Sequence, residues 1–185
     1  DNVLPAPEWL ERMIAPFYDT AILASEPIEY TYRPADSAMT RYCALLGMND
    51  PLCLFLGNYD RYCALTGRWT EIPHREEDRG DYLKVEFAEG PLPTMGANGF
   101  LIRRSVLAAV GIGDYLFDVD MLVALRDGST GRNVLQVAKV KTGVVHIFSG
   151  DLRTFARKQR RRVRDYFHYQ GIGARRYPWG RASRR

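Results

Sequence analysis

The chain has 185 residues, 46% of them hydrophobic and 26% charged, a balance typical of one globular domain with a sizeable core. It contains no run of eighteen apolar residues, so the sequence predicts no membrane-spanning helix, and no secretory signal is visible at its start. The net charge of +4 hides a split, because residues 151–185 carry +10 and the remainder −6. A basic C-terminal end predicts contact with an anion, whether phosphate, a lipid surface or nucleic acid.

The first third of the chain alternates helix and strand patterns. Its predicted elements are a strand end at 1–5, a helix between Pro7 and Pro16, strands at 20–25 and 28–33, and a helix that starts at an Asp36 N-cap and ends at Gly47. The polar stretch 68–80 is predicted to be a mobile surface loop.

A heptapeptide occurs twice, twenty residues apart. Residues 41–47 read RYCALLG and residues 61–67 read RYCALTG, so six of the seven positions are identical. Two copies are too few for a solenoid. We predict two similar helices within an inserted helical and loop segment that covers about 34–90.

The three cysteines are Cys43, Cys53 and Cys63, and each has apolar neighbours. An odd number without a CxxC pair fits neither a zinc site nor a disulfide framework. The sequence therefore predicts buried, reduced thiols and a reducing compartment.

The second half continues the same alternation. Its predicted elements are strands at 82–87 and 100–102, helices at 106–110 and 121–125, strands at 134–140 and 143–146, a basic helix from Asp151 to about Tyr169, and a loose tail from residue 171. This order predicts one α/β or α+β core without an internal domain boundary.

The segment 95–125 carries the strongest chemical pattern. A Gly96-Ala97-Asn98-Gly99 turn leads into a short strand and the pair Arg103-Arg104, and later Asp118 and Asp120 open an apolar helix. Acidic side chains there can cap the free N–H groups of the helix. The same position suits a general base, and the pattern alone leaves both roles open.

This order of turn, arginine pair and acidic helix start resembles the acceptor half of inverting family-2 glycosyltransferases of the GT-A fold. The resemblance covers Asp1 to Trp9 and Pro93 to about Tyr166. It implies an α/β fold, with a mixed sheet flanked by helices, that lacks its N-terminal nucleotide-binding half. Residues 1–170 would then be the C-terminal part of the GT-A domain, and 171–185 a flexible basic tail.

The resemblance implies transfer of a sugar from a nucleotide-diphosphate sugar to an acceptor hydroxyl, with inversion. Asp120 would be the catalytic base, and Gly96, Asn98 and Gly99 would shape the sugar pocket. Val119 stands where the family usually has Glu, which leaves Asp118 as either an acceptor contact or a helix cap. Val163 replaces the Trp of the Gln-x-x-Arg-Trp motif of processive members, so a non-processive enzyme is expected.

A divalent cation, Mg²⁺ or Mn²⁺, is the implied cofactor. Asp1 matches the last residue of the family's Asp-x-Asp motif, unless it is only a terminal residue, and His146 lies where relatives place a histidine near the metal and the diphosphate. A lone histidine is otherwise most often structural. Arg157 and Lys158 would bind on the diphosphate side.

The basic helix 152–169 has four possible roles. It can neutralise the diphosphate, lie on an anionic membrane near a lipid-linked acceptor, bind nucleic acid, or simply be a solvated face. Nucleic acid is the least favoured partner, because no recognisable nucleic-acid-binding domain surrounds the helix. The expected partners are a nucleotide-sugar donor and a glycan or lipid-linked acceptor, in the cytoplasm or at its membrane surface. The rival function is a non-catalytic module that docks through this helix.

Overall fold

The computed structural model describes residues 2–88, 90–110, 118–127, 134–173 and 177. The strands are β1 (Asn2–Val3), β2 (Ala24–Thr31), β3 (Arg75–Asp78), β4 (Tyr82–Phe87), β5 (Leu101–Ile102) and β6 (Leu135–His146). The helices are α1 (Trp9–Ile14), α2 (Ala38–Leu46), α3 (Leu52–Leu56), α4 (Arg104–Val110), α5 (Asp118–Asp127) and α6 (Leu152–Gly171), with one 3-10 helix at Ala15–Tyr18.

The six strands form one mixed sheet in the order β3-β4-β6-β2-β5, and β1 pairs with the end of β6. Strands β2 and β6 are parallel, and every other pairing is antiparallel. The predicted α/β class, with a mixed open sheet flanked by helices, is confirmed.

Strand β6 separates two apolar layers, because successive side chains of a strand point to opposite faces. Leu135 and Val137 join the largest buried cluster together with Leu122 of α5, whereas Val140 packs in a second cluster with Trp9 of α1. Helices α1 and α5 therefore cover opposite faces of the sheet, and both lie near its central strand.

Two predicted strand breaks do not occur. A single strand, β2 (Ala24–Thr31), replaces the strands predicted at 20–25 and 28–33. Its Pro27 sits at a shift of register against β6, where its missing N–H is tolerated. The strands predicted at 134–140 and 143–146 are likewise one strand, β6 (Leu135–His146), which passes through Gly143. A Cβ at Gly143 would overlap the Thr31 side chain, so glycine here permits close strand packing instead of a turn.

The two heptapeptides adopt different structures, so the prediction of two similar helices was wrong. The first copy lies in α2 and ends at Gly47, which has φ 68°. The second copy is a turn held by a bridge between Cys63 and Arg68. The Ala64 N–H donates to the carbonyl of Leu45 at 2.8 Å, so the second copy packs directly against the first.

Two local predictions were also corrected. The stretch 68–80 is not wholly a loop, since β3 pairs with β4 as an exposed edge strand whose charged residues discourage further pairing. Ser37 caps α2 through the Thr40 N–H, while Asp36 binds the Arg33 side chain at 2.7 Å. The Asp151 cap of α6 is confirmed.

The cysteines are free and buried, as predicted. Burial raises the pKa of the Cys43 thiol to about 11 and that of Cys53 to about 12. Both thiols are therefore protonated and unreactive in the folded chain.

Candidate active site around the Gly96–Gly99 turn

The backbone of the turn that connects residue 95 to β5 requires residues that tolerate positive φ angles. Gly96, Asn98 and Gly99 have positive φ angles of 119°, 52° and 93°. Glycine adopts these angles without strain, and asparagine is among the few other residues that tolerate them. A Cβ at Gly99 would also lie 3.0 Å from the ring of Trp9. The G-x-N-G pattern is therefore a requirement of the backbone here.

A buried cluster of four charged side chains lies next to this turn. It consists of Glu26, Asp60, Arg61 and Lys139, each at most 6% exposed. Arg61 Nη1 lies 2.6 Å from Glu26 Oε2 and 2.7 Å from Asp60 Oδ2, and Lys139 Nζ lies 2.6 Å from Glu26 Oε2. Two acids meet two bases, so the cluster has no net charge and can be buried at tolerable cost.

The cluster is bonded to the turn at two points. The Gly96 N–H donates to Glu26 Oε1 at 3.2 Å, and Arg61 Nη2 donates to the carbonyl of Ala97 at 3.0 Å. Both bonds involve a charged partner and are therefore stronger than neutral ones. The turn is held in place by the centre of the fold rather than by its own residues alone.

The protonation of the cluster follows from burial and pairing. Burial pushes the pKa of Glu26 upward, but Arg61 and Lys139 outweigh it and leave that pKa below its ordinary value. Burial raises the pKa of Asp60 to about 6 and lowers that of Lys139 to about 8. All four groups are thus charged at neutral pH.

Three of the predicted site residues meet at two aromatic rings. Asn98 Nδ2 donates to Tyr30 Oη at 2.8 Å, and the Tyr30 ring lies 5.9 Å from that of His146. The His146 ring in turn lies 5.9 Å from Phe148. Lys158 Nζ sits 4.5 Å above the Phe148 ring and donates to the carbonyl of the same residue. Asn98, His146 and Lys158 are therefore linked by one series of contacts through Tyr30 and Phe148.

His146 is held as a neutral imidazole with a defined tautomer. Its Nδ1 lies 2.7 Å from Asn2 Oδ1, and since an amide oxygen only accepts, Nδ1 carries the proton and Nε2 carries the lone pair. Burial, followed by nearby positive charges that include Lys158 and Arg162, lowers the His146 pKa to about 4. A neutral imidazole oriented through its other nitrogen is the state in which histidine binds a metal.

The described residues fit a divalent cation only in part. Asp1, the other proposed ligand, lies outside the described residues, although Asn2, which follows it, pairs with His146 in the sheet. Within the described ranges, no group of three or more His, Cys, Asp or Glu side chains could hold a metal ion. An imidazole nitrogen suits Mn²⁺ better than Mg²⁺, which prefers oxygen ligands.

The proposed base, Asp120, lies in the first turn of α5 and is 5% exposed. Its Oδ1 accepts the backbone N–H of Tyr177 at 2.6 Å, and Tyr177 Oη donates to the carbonyl of Leu92 at 2.5 Å. Asn58 bonds both Tyr177 Oη, at 3.3 Å, and the N–H of Thr94, at 2.8 Å. Asp120 is thereby connected to the segment that leads into the turn.

The remaining two predicted site residues are Asp118 and Arg157. The side chain of Asp118 lies outside the described part of the chain, although the residue begins α5. Arg157 is exposed and lines a groove on the outward side of α6, whereas Lys158, the next residue, points inward to Phe148. Neighbouring residues in a helix differ by about 100° in direction, which accounts for the contrast.

Sequence reasoning missed the residues that support the candidate site. In the sequence, Tyr30 and Phe148 have no feature that sets them apart from other strand and loop aromatics. Arg61 belongs to the second heptapeptide, where no sequence feature distinguishes it from Arg41. The one available signal was the recurrence itself, in which six of seven positions are identical.

Comparisons with protein-family models, curated proteins and solved structures found no match to this chain.

Proposed function

We propose that the chain is the acceptor-side part of an inverting, non-processive glycosyltransferase that uses a nucleotide-diphosphate sugar. The observation that supports this most directly is the meeting of Asn98, His146 and Lys158 at Tyr30 and Phe148. Asn98 comes from the turn, whereas His146 and Lys158 come from the consecutive elements β6 and α6, and the resemblance implies a substrate-side role for each. Polar side chains that are brought together from separate elements are a feature of binding sites.

In the proposed reaction, the Asp120 carboxylate removes the proton of the acceptor hydroxyl. The hydroxyl oxygen then forms a bond to the anomeric carbon of the donor sugar while the bond from that carbon to the diphosphate oxygen breaks. The electron pair leaves on the nucleoside diphosphate, and the anomeric centre inverts. The hydrogen bond from the Tyr177 N–H to Oδ1 keeps the carboxylate oriented for this role.

The remaining residues position the donor and receive the charge of the leaving group. The rigid turn at Gly96–Gly99 gives the sugar a fixed wall, because the buried cluster anchors it at Gly96 and Ala97. Lys158 and Arg162, both stacked on Phe148 within 4.9 Å, provide positive charge near His146 for a diphosphate. A bound Mn²⁺ or Mg²⁺ would supply further neutralisation of the diphosphate there, with His146 and Asp1 as ligands.

Donor binding is the first test, and it is best made on the protein as its gene encodes it, including any segment before Asp1. UDP-, GDP- and dTDP-sugars are screened with Mn²⁺ for thermal stabilisation. We expect one nucleotide to stabilise the protein, with the effect reduced by EDTA and by His146→Ala. The absence of stabilisation by every nucleotide would contradict the proposal.

Catalysis by Asp120 is tested with Asp120→Asn, which removes the base and retains the shape of the side chain. We expect turnover to fall by roughly 10²–10⁴-fold, the usual contribution of a general base, while donor binding is unchanged. The matched control is Asp127→Asn at the other end of α5, where the side chain is 55% exposed and pairs with Arg126. Equal activity of the two variants would exclude Asp120 as the base.

A non-catalytic binding module remains the rival function. It predicts that Asp120→Asn has no effect on any measured activity and that no nucleotide sugar binds. The same two experiments therefore separate the two functions.

A further inference from the structure

Helix α6 has an outward face that the candidate site does not use. Its side chains divide into three directions at about 100° per residue. The inward direction holds Phe155, Lys158 and Arg162, all of which contact the Phe148 ring. The helix thus packs on the domain along one side only, and none of its residues is fully buried.

An apolar stripe runs along the helix beside this packed side. It consists of Leu152, Val163 and Phe167, which fall within about 60° of one another on the helix surface. These side chains are 68%, 55% and 66% exposed, respectively. Large apolar side chains aligned over four turns and left in water are the kind of surface that marks an interaction site.

A basic stripe lies directly next to the apolar one. Its five exposed arginines line a shallow groove along the helix: Arg153, Arg157, Arg160, Arg161 and Arg164. The one acidic side chain within α6 is Asp165, which lies 4.0 Å from Arg161 and is itself 48% exposed. The helix as a whole carries six arginines and one lysine against that single aspartate.

We propose that this face of α6 docks on an anionic lipid membrane, with the helix parallel to the surface. In that arrangement both stripes contact the membrane. The apolar side chains insert at the boundary between the headgroups and the acyl chains, and the neighbouring arginines bind the lipid phosphates. Nucleic acid would engage the arginines but leave the apolar stripe in water. None of the helices in the described part of the chain has the length and apolar character to span a bilayer.

The surface proposal and the transferase proposal use different residues. Lys158 and Arg162 face the candidate site, whereas the two stripes face away from it. Docking would therefore leave that site accessible and bring it close to acceptors carried by the membrane. Failure of one proposal leaves the other standing.

The test is cosedimentation of the protein with vesicles of phosphatidylcholine alone and of phosphatidylcholine with phosphatidylglycerol. We expect binding only to the anionic vesicles. The triple variant Leu152→Ser, Val163→Ser, Phe167→Ser should bind on the order of 1,000-fold more weakly, since burying each apolar side chain favours binding by about tenfold. Replacement of Arg157, Arg160 and Arg164 by Gln should weaken binding by roughly fivefold for each charge.

Controls separate the membrane from other partners. Leu10→Ser and Leu65→Ser remove exposed leucines elsewhere, at 50% and 73% exposure, and should leave vesicle binding unchanged. Circular dichroism checks that each variant folds. Affinity for a single-stranded oligonucleotide should respond to the arginine changes and not to the apolar ones. Failure to bind anionic vesicles, or equal vesicle binding by the apolar triple variant and the wild type, would overturn the proposal.

Discussion

Replacing Arg61 with methionine is the sharpest test of how the fold supports the candidate site. The change keeps an unbranched side chain of similar length and removes the guanidinium. The guanidinium lies 2.6 Å from Glu26 and 2.7 Å from Asp60, and it donates to the carbonyl of Ala97 at 3.0 Å. Without it, two buried carboxylates share one cation, Lys139.

Breaking a buried ion pair by removing one partner costs about 3–5 kcal/mol, because the remaining charge is left without compensation. For a chain of this length, we expect the midpoint of thermal unfolding to fall by roughly 6–20 °C. The chain contains its own matched control, Arg41→Met, at the same position of the first heptapeptide. Arg41 is exposed and its Nη1 lies 3.5 Å from the Pro34 carbonyl, so its loss should change stability by about 0.5 kcal/mol or less.

The measurement is thermal and urea unfolding, followed by circular dichroism, for the wild type and both variants. The cost of Arg61→Met should shrink on acidification. Asp60 has a folded pKa raised to about 6, so protonation favours the folded state below that pH, and a protonated carboxyl needs no cation. Equal melting temperatures for Arg61→Met and Arg41→Met would refute the role of the cluster.

Two further predictions concern the backbone and the pH response. Gly47 and Gly67 end the two heptapeptides with φ near +67°, but a Cβ at Gly47 would lie 2.5 Å from a backbone oxygen, whereas Gly67 has open space. Gly67→Ala should therefore lower the free energy of unfolding by about 1–2 kcal/mol, because alanine disfavours the left-handed backbone. Gly47→Ala should lower it by about 1–3 kcal/mol more, because its Cβ also overlaps a backbone oxygen. Equal losses for the two variants in urea unfolding would contradict this. Burial lowers the pKa of His146 from 6.5 to about 4 in the folded chain. As the pH falls, the imidazole is therefore protonated in the unfolded chain before it is protonated in the folded chain. The stability contributed by neutral His146 is lost as the pH falls from 6.5 towards 4. His146→Gln should lose less stability than the wild type between about pH 7 and pH 5, and equal losses would show that the ring is not held neutral.

Local patterns predicted those elements whose signals are complete within a few residues. The alternation of Tyr82–Phe87 identified β4, and the Asp151 cap identified the start of α6. The apolar run after Asp120 identified α5. In each case the hydrogen bonds or the buried face involve neighbours in sequence, so the pattern contains the information.

Elements whose conformation depends on a distant partner were predicted wrongly. Gly143 was predicted to begin a separate strand, yet β6 is continuous through it. The Thr31 side chain occupies the space where a Cβ would be, and the Trp9 side chain donates to the Gly143 carbonyl at 2.8 Å. Pro27 likewise lies inside β2, because a register shift against β6 removes the need for its N–H.

The candidate site also combines residues that a local pattern predicts with residues that depend on distant partners. The residues of the turn were visible in the sequence, because Gly96, Asn98 and Gly99 are dictated by the backbone angles of the turn itself. The link between Asn98 and His146 was not visible, since it runs through Tyr30 of β2. Side chains that act only by contact across the sheet leave no local pattern.

The repeated heptapeptide shows where local sequence stops and tertiary structure decides. By itself, the sequence determined a helix with a glycine end at 41–47, the cap of α6, the Gly96–Gly99 turn and the basic character of the C-terminal end. The tertiary structure decided that the same six residues at 61–67 do not form a helix. There Arg61 is paired with Glu26 and Asp60, and leaving these buried carboxylates without that partner would cost more than the small difference in propensity between helix and turn.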